Sequence, residues 1–242
     1  MDRVVFAAMA GAAISLTAIP SVSFAETSQS ESITQESQVT AVDAPYTIKM
    51  GADMWWGSTK VDNTRRGWVD IPSIYIAYQP TRSALPDMSY RYTAVDGGDF
   101  VAFDKHDLSF YYNVVSHKLM TFDVGLTATQ YTGSHYRTIN SSTQYDFNDL
   151  TVNLYSYAEI KIPETEWHII GQFEVGNMNG IKSTDFMAGI RYQIPFDSMT
   201  VSLRGGYRVI DLEFSDLAPA SADLSESLVF VDGYFFGTEI RF

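Results

Sequence analysis

The chain has 242 residues and a formal net charge of −13, with 29 Asp and Glu residues against 16 Lys and Arg residues. This acidic balance argues against a nucleic-acid partner, because binding a phosphate backbone requires a basic surface. The chain contains no cysteine, so neither disulfide bonds nor thiolate chemistry contributes to its fold or function.

Residues 1–25 have the pattern of a secretory signal peptide. An apolar run from Val4 to Ile19 is followed by small residues up to Ala25, where we expect cleavage. A helical membrane span needs about 20 apolar residues, so this run predicts export rather than an anchor. Residues 26–45 carry no aromatic side chain and little apolar content, and we expect them to form a disordered periplasmic leader.

The remainder of the chain, residues 46–242, alternates apolar and polar residues with a period of two, which predicts β-strands. The segment 120–129 shows this most clearly, because Met120, Phe122 and Val124 share one face while Thr121, Asp123 and Gly125 share the other. We find about ten such segments, and they are 46–58, 71–80, 88–95, 108–115, 120–129, 150–162, 167–175, 184–194, 201–209 and 233–242.

An even strand number is typical of bacterial membrane barrels, so the sequence predicts an all-β, up-and-down antiparallel barrel of about ten strands. Proline is disfavoured inside sheets, and Pro72, Pro80 and Pro86 crowd the second and third segments. An eight-stranded barrel therefore stays open as the alternative.

The connections differ in length in a way that predicts orientation. The turns after the fourth, sixth and eighth segments are short, whereas 133–147 and 213–226 are long. In outer-membrane barrels the short turns face the periplasm, together with both termini, and the long loops face outward.

Aromatic residues near the segment ends decide which face is outside. A soluble barrel would place its apolar face inward, but amphipathic rings at strand ends suit the headgroup regions of a bilayer. We therefore expect a monomer in the bacterial outer membrane, in contact with the lipid bilayer and lipopolysaccharide. The aromatic residues concerned are Tyr46, Trp56, Tyr78, Trp167, Tyr192 and Phe242.

The C-terminal segment ends on an aromatic residue of its apolar face. Tyr234, Phe236, Ile240 and Phe242 share that face, which predicts a last strand that closes the barrel with Phe242 at the periplasmic rim. Terminal aromatic residues of this kind resemble the signal that the barrel-assembly machinery recognises, so we expect that machinery as a partner.

Four stretches in this order and spacing carry a family resemblance: LSFYYNVV, MTFDVGLTATQYTG, GGYRVIDLEFSDL and DGYFFGTEIRF. They resemble the proteobacterial outer-membrane β-barrel family associated with the GlyGly C-terminal sorting system. The resemblance covers residues 104–242 and the start of the first strand. It implies the barrel fold and the outer membrane, and it supplies no activity.

The polar parity of the strands predicts a charged lumen. A barrel of about ten strands is narrow, so we expect an ion-pair network that largely plugs it, with slow passage of small solutes as the alternative. The predicted network consists of Lys49, Asp53, Arg91, Asp123, Glu159, Lys161, Glu174, Asp185, Arg191, Arg204, Arg208, Glu239 and Arg241.

No catalytic motif, cofactor signature or metal site stands out, so a non-enzymatic envelope role is expected. One alternative is a protease or lipid hydrolase centred on His106, which has Asp104 and Asp107 beside it and could activate water. Another is an adhesin that acts through the long loops. The carboxylates between Asp211 and Glu226 lack EF-hand spacing and are expected to be solvated, with divalent-bridged contact to lipopolysaccharide as a further hypothesis.

Overall fold

A computed structural model describes residues 45–61, 64–81, 84–137, 142–215 and 227–242. They belong to one compact unit, Asp43–Phe242. The predicted signal peptide, residues 26–44 of the predicted leader and the predicted carboxylates at 216–226 lie outside the described residues.

Ten antiparallel strands form a closed barrel in which each strand pairs with its sequence neighbours and β1 pairs with β10. The all-β prediction and the count of ten are confirmed, and the eight-stranded alternative is wrong. The strands are β1 (Tyr46–Val61), β2 (Thr64–Pro80), β3 (Asp87–Asp96), β4 (Val101–His117), β5 (Met120–Tyr136), β6 (Leu150–Lys161), β7 (Trp167–Met178), β8 (Ile181–Pro195), β9 (Thr200–Phe214) and β10 (Ser227–Arg241).

The closing seam between β1 and β10 keeps the predicted parity. Met50 lies opposite Ile240, and Trp56 lies opposite Tyr234, so their side chains share the outer surface. The pairing continues past the last strand, where the Phe242 amide donates to the Ile48 carbonyl at 2.9 Å. The C-terminus is therefore docked rather than frayed.

The two ends of the barrel differ. We call the end that carries Tyr46, Arg241 and the turns after β2, β4, β6 and β8 the terminus end, and the opposite end the loop end. The prediction that short turns and long loops alternate holds only in part. At the loop end, the β1–β2 and β7–β8 connections are as tight as the turns at the terminus end, while the β5–β6 and β9–β10 connections are long.

The polarity of the inner and outer faces of the barrel reverses along the strands. On β9, Arg204 and Arg208 point inward near the terminus end, whereas Leu212 and Phe214 fill the interior near the loop end. The outer face of β8 shows the opposite order, with exposed Phe186 nearer the terminus end and exposed Lys182 nearer the loop end. Near the terminus end the barrel is thus apolar outside and charged inside, and near the loop end it is built like a soluble protein.

A cluster of buried apolar side chains fills the loop end of the interior. The predicted polar lumen is therefore found in the other half and not in this one, because a period of two fixes the face of a side chain but not its height along the barrel. The buried cluster contains Trp55, Val61, Ile71, Val95, Val101, Phe103, Tyr131, Tyr136, Phe147, Ile181, Met187, Ile210, Leu212, Phe214, Val229, Val231 and Phe235.

The β5–β6 connection contributes to this cluster instead of extending freely. Phe147 inserts among the aromatic rings, with its ring centroid 4.7 Å from that of Phe214 and 5.8 Å from that of Tyr131. Its amide donates to the Ser134 hydroxyl at 2.7 Å, which fixes the loop to the end of β5. Part of the long loop that the adhesin alternative would use is thus packed into the interior of the barrel.

Within the described residues, no helix combines the length and apolar character that a membrane crossing demands. The described helical segment is a single 3-10 turn, Gly98–Phe100, between β3 and β4.

Candidate functional site

The charged part of the interior is centred on Lys105. Its ammonium donates to Asp107 at 2.6 Å and to Asp185 at 3.1 Å, and Glu174 lies 3.5 Å away. All four side chains are buried. The three carboxylates lie within 4.8 Å of one another, close enough to share one cation, and the Lys105 ammonium is that cation. Burying these acids without a counter-ion would cost several kcal/mol, and Lys105 compensates their charge.

Two arginines extend the network across the barrel. Arg208 binds Asp185 through two nitrogens at 3.0 and 2.7 Å, and its guanidinium lies 5.2 Å from the Trp55 ring. Arg204 binds Asp53 in the same two-pronged way at 2.8 and 2.6 Å. Such bidentate pairs are the geometry in which arginine compensates best for the loss of water.

Closer to the terminus end, Arg191 joins two acids from different strands. It donates to Glu239 at 3.1 Å and also binds Glu159. Tyr75 donates to the second oxygen of Glu239 at 2.5 Å, and His168 Nδ1 lies 2.7 Å from Glu159. These contacts connect β2, β6, β7, β8 and β10 through the lumen.

The structure brings most, but not all, of the predicted lumen residues into ion pairs. Asp53, Glu159, Glu174, Asp185, Arg191, Arg204, Arg208 and Glu239 take part in the pairs described above. The others differ. Arg91 bonds Gln172, Asp123 accepts from Asn113, Lys49 lines a cavity, Lys161 lies half-buried near the terminus end, and Arg241 is exposed at the rim.

Sequence reasoning missed Lys105 and Asp107, which hold the centre of the network. The predicted fourth strand began at Leu108, whereas β4 begins at Val101. The missed signal was the continued alternation of Val101, Phe103, Lys105 and Asp107 on the inner face. The charged residues interrupted an otherwise apolar series and resembled a loop.

His106 points outward, away from Asp107. Its Nδ1 lies 2.8 Å from the Tyr90 hydroxyl and its Nε2 lies 3.1 Å from Thr132 Oγ1, so both ring nitrogens are engaged. Asp104 accepts from Tyr92 at 2.9 Å. The predicted grouping of His106 with both acids is therefore not formed, because Asp107 lies on the opposite face of β4.

A cavity of about 60 Å³ lies in the charged half of the interior. Aromatic and charged side chains form its wall, and the rings of Tyr111 and Tyr155 pack at a tilt of 32° with their centroids 5.1 Å apart. Its lining includes Lys49, Arg91, Asp123, Gln172 and Glu239.

No family model and no curated protein matches the chain, so the resemblance to the family associated with the GlyGly C-terminal sorting system stays a prediction. Among solved structures, the chain is similar to the outer membrane protease OmpT from Escherichia coli, with 8% identity and a TM-score of 0.40 over 81% of this chain and 96% of that one. It is also similar to the β-domain of the Bordetella autotransporter BrkA, with 12% identity and a TM-score of 0.44 over 82% and 99% of the two chains. Identities and TM-scores this low transfer no activity.

Proposed function

We propose that this protein is a non-conducting β-barrel of the bacterial outer membrane that acts as a structural and surface element of the envelope. The exchange of polarity along the strands carries this proposal. A belt of exposed apolar side chains surrounds the half of the barrel whose interior is charged, which is the arrangement that a lipid bilayer stabilises. In water, so large an exposed apolar surface would cause association.

The loop end faces outward in this proposal, and the terminus end faces the periplasm. The longest described connection, between β5 and β6, lies at the loop end, as outer-membrane barrels require. The barrel would reach the membrane as a monomer through the assembly machinery. Its apolar belt would contact lipid, and the exposed charged rim above the belt would contact lipopolysaccharide.

The occupied interior supports a non-conducting role. The apolar cluster fills the loop end, and the network around Lys105, Arg204 and Arg191 crosses the lumen below it. A barrel of ten strands leaves little room beyond its own side chains. The long connections at the loop end then remain as the surface that meets the outside.

Conductance of the refolded protein in a planar bilayer tests the closed lumen. We expect no discrete channels from protein whose folding is verified by a heat-dependent gel shift, under conditions in which a sixteen-stranded porin conducts. Regular, ion-selective openings from the same preparation would refute the non-conducting role and make the lumen charges a selectivity lining.

Labelling of single cysteines tests location and orientation, since the natural chain has none. Gln144→Cys lies at the loop end and Asp197→Cys lies in the turn after β8, and both positions are exposed. We expect a membrane-impermeant maleimide to label Gln144→Cys in intact cells and Asp197→Cys only after lysis. The reverse pattern would invert the orientation, and equal labelling of both would contradict insertion in the outer membrane.

A further inference from the structure

We propose that the lumen cavity binds a small, singly charged anion, such as a short carboxylate, with Lys49 and Arg91 as its cationic contacts. The cavity belongs to the charged half of the barrel and is separate from the apolar cluster that fills the loop end. This site goes beyond the structural role proposed above, and its test does not depend on whether the barrel conducts.

Every carboxylate that lines the cavity already has a donor. Glu239 accepts from Arg191 and Tyr75, and Asp107 accepts from Lys105 at 2.6 Å and from Thr129 at 2.7 Å. Glu174 and Asp123 accept from side-chain amides, at 2.6 and 2.7 Å respectively. Each acid of the cavity wall therefore has at least one donor from the protein, and the remaining Glu174 oxygen, Oε2, makes no hydrogen bond but lies 3.5 Å from the Lys105 ammonium.

The cations of the wall divide into two groups. Arg204 and Arg191 are paired with carboxylates. Among the described residues, the Lys49 side chain makes no hydrogen bond or ion pair. The Arg91 side chain has one hydrogen bond, from Nη2 to the Gln172 side-chain oxygen at 3.0 Å, and its guanidinium lies 5.5 Å from the centre of the Tyr75 ring. The Arg91 Nε is buried without an acceptor. Lys49 and Arg91 are therefore positively charged donors that still lack acceptors.

Lys49 and Arg91 are half-buried, so water compensates their charges only in part, and an anion in the cavity would supply further compensation. A water molecule needs about 10–15 Å³ of such space, so a cavity of about 60 Å³ holds about four to six water-sized groups. That volume suits formate or acetate. Asp123 and Glu239 line the same cavity and would repel a second negative charge, so a monoanion is favoured over a dianion.

Thermal unfolding of the folded, full-length barrel in detergent micelles tests the site. The titrant is sodium formate or acetate, and sodium gluconate at equal ionic strength is the matched salt, because gluconate is too large for the cavity. A ligand that binds the folded state raises the melting temperature in a saturable way. We expect such a rise with formate or acetate and none with gluconate.

Three variants separate the site from a general salt effect. Lys49→Met and Arg91→Met should each weaken the apparent affinity roughly tenfold, the usual effect of losing one hydrogen bond to a charged group. Lys161→Met removes a half-buried cation near the same end that does not line the cavity, and it should leave the affinity unchanged. Equal melting in formate and gluconate, or an unchanged formate effect in Lys49→Met/Arg91→Met, would overturn the proposal.

Bromide gives a measurement that needs no variant. Crystals of the natural chain soaked in sodium bromide should show an anomalous peak within about 3.5 Å of Lys49 Nζ or the Arg91 guanidinium. Bromide peaks confined to the outer surface, with the cavity free of them, would count against an anion site even if a variant failed to fold.

Discussion

At the level of single residues, the interior is a set of charges that depend on one another. Asp53 and Arg204 are both buried and bind through two parallel hydrogen bonds, and Arg204 also lies 4.7 Å from the Tyr75 ring. Removing one partner from such a pair leaves the other charge buried without compensation.

Arg204→Leu should therefore lower the free energy of unfolding by about 3–5 kcal/mol, because Asp53 would remain buried and unpaired. Arg65→Leu is the matched control. Arg65 pairs with Asp232 at 3.2 Å, but its side chain is 55% exposed, and such pairs contribute about 0–1 kcal/mol. Urea unfolding in lipid vesicles measures both. An equal loss in the two variants would mean that Arg204 is in contact with water.

Single residues also show which features of the structure the sequence predicts and which it does not. The alternation in β1 predicted that Lys49 and Asp53 face inward, and the structure places them there. It could not predict that Trp55, two residues further on the same face, belongs to the apolar cluster. Parity is a local property of the strand, whereas the partner of an inward side chain comes from strands that are distant in sequence.

At the level of strands, the height at which polarity reverses defines the proposed membrane belt. On the outer face of β8, exposed Ile190 lies inside the belt, while Thr184 lies nearer the charged rim. A charged residue facing lipid is costly in proportion to its depth.

Ile190→Lys should destabilise the barrel in lipid vesicles by about 2–4 kcal/mol, as expected for a lysine near the bilayer midplane. Thr184→Lys should cost about 0–1 kcal/mol, as expected near the interface. Equilibrium unfolding in vesicles of a single lipid measures the difference. Equal costs at the two positions would contradict the belt and with it the membrane location.

The element boundaries were harder to predict than the strands themselves. β2 begins at Thr64, seven residues before its predicted start at Ile71, and it contains Pro72. Proline is tolerated there because the pairing between β2 and β3 extends only from Ser73 to Tyr78, which leaves Pro72 outside that ladder. A sequence rule that penalises proline in strands cannot take into account where the pairing with the next strand ends.

At the level of the whole molecule, closure depends on the last strand finding the first. β10 pairs with β1 along most of its length, and Phe242 continues this pairing. The outward side chains of Tyr234, Phe236 and Phe242 are exposed, as the proposed recognition by an assembly machinery requires.

Phe242→Ala should slow assembly in cells while leaving the unfolding free energy of the purified barrel nearly unchanged, because the side chain is 55% exposed. Phe196→Ala is the matched control, since Phe196 lies in a turn at the same end and is also 55% exposed. Pulse-chase analysis of the heat-modifiable form measures the rate. Equal rates for Phe242→Ala and the natural chain would argue against a terminal assembly signal.

The sequence by itself determined the all-β class, a count of about ten strands and which side chains share a face of each strand, because all three follow from a local period of two. Only the tertiary structure decided that the loop end is filled by an apolar cluster, that Lys105 is the shared cation of three acids, and that Lys49 and Arg91 line a cavity without an ion pair to any of its carboxylates. These features depend on the register between strands, which sets the height of each side chain in the barrel. Register is a property of pairs of strands and cannot be inferred from the sequence of either strand alone.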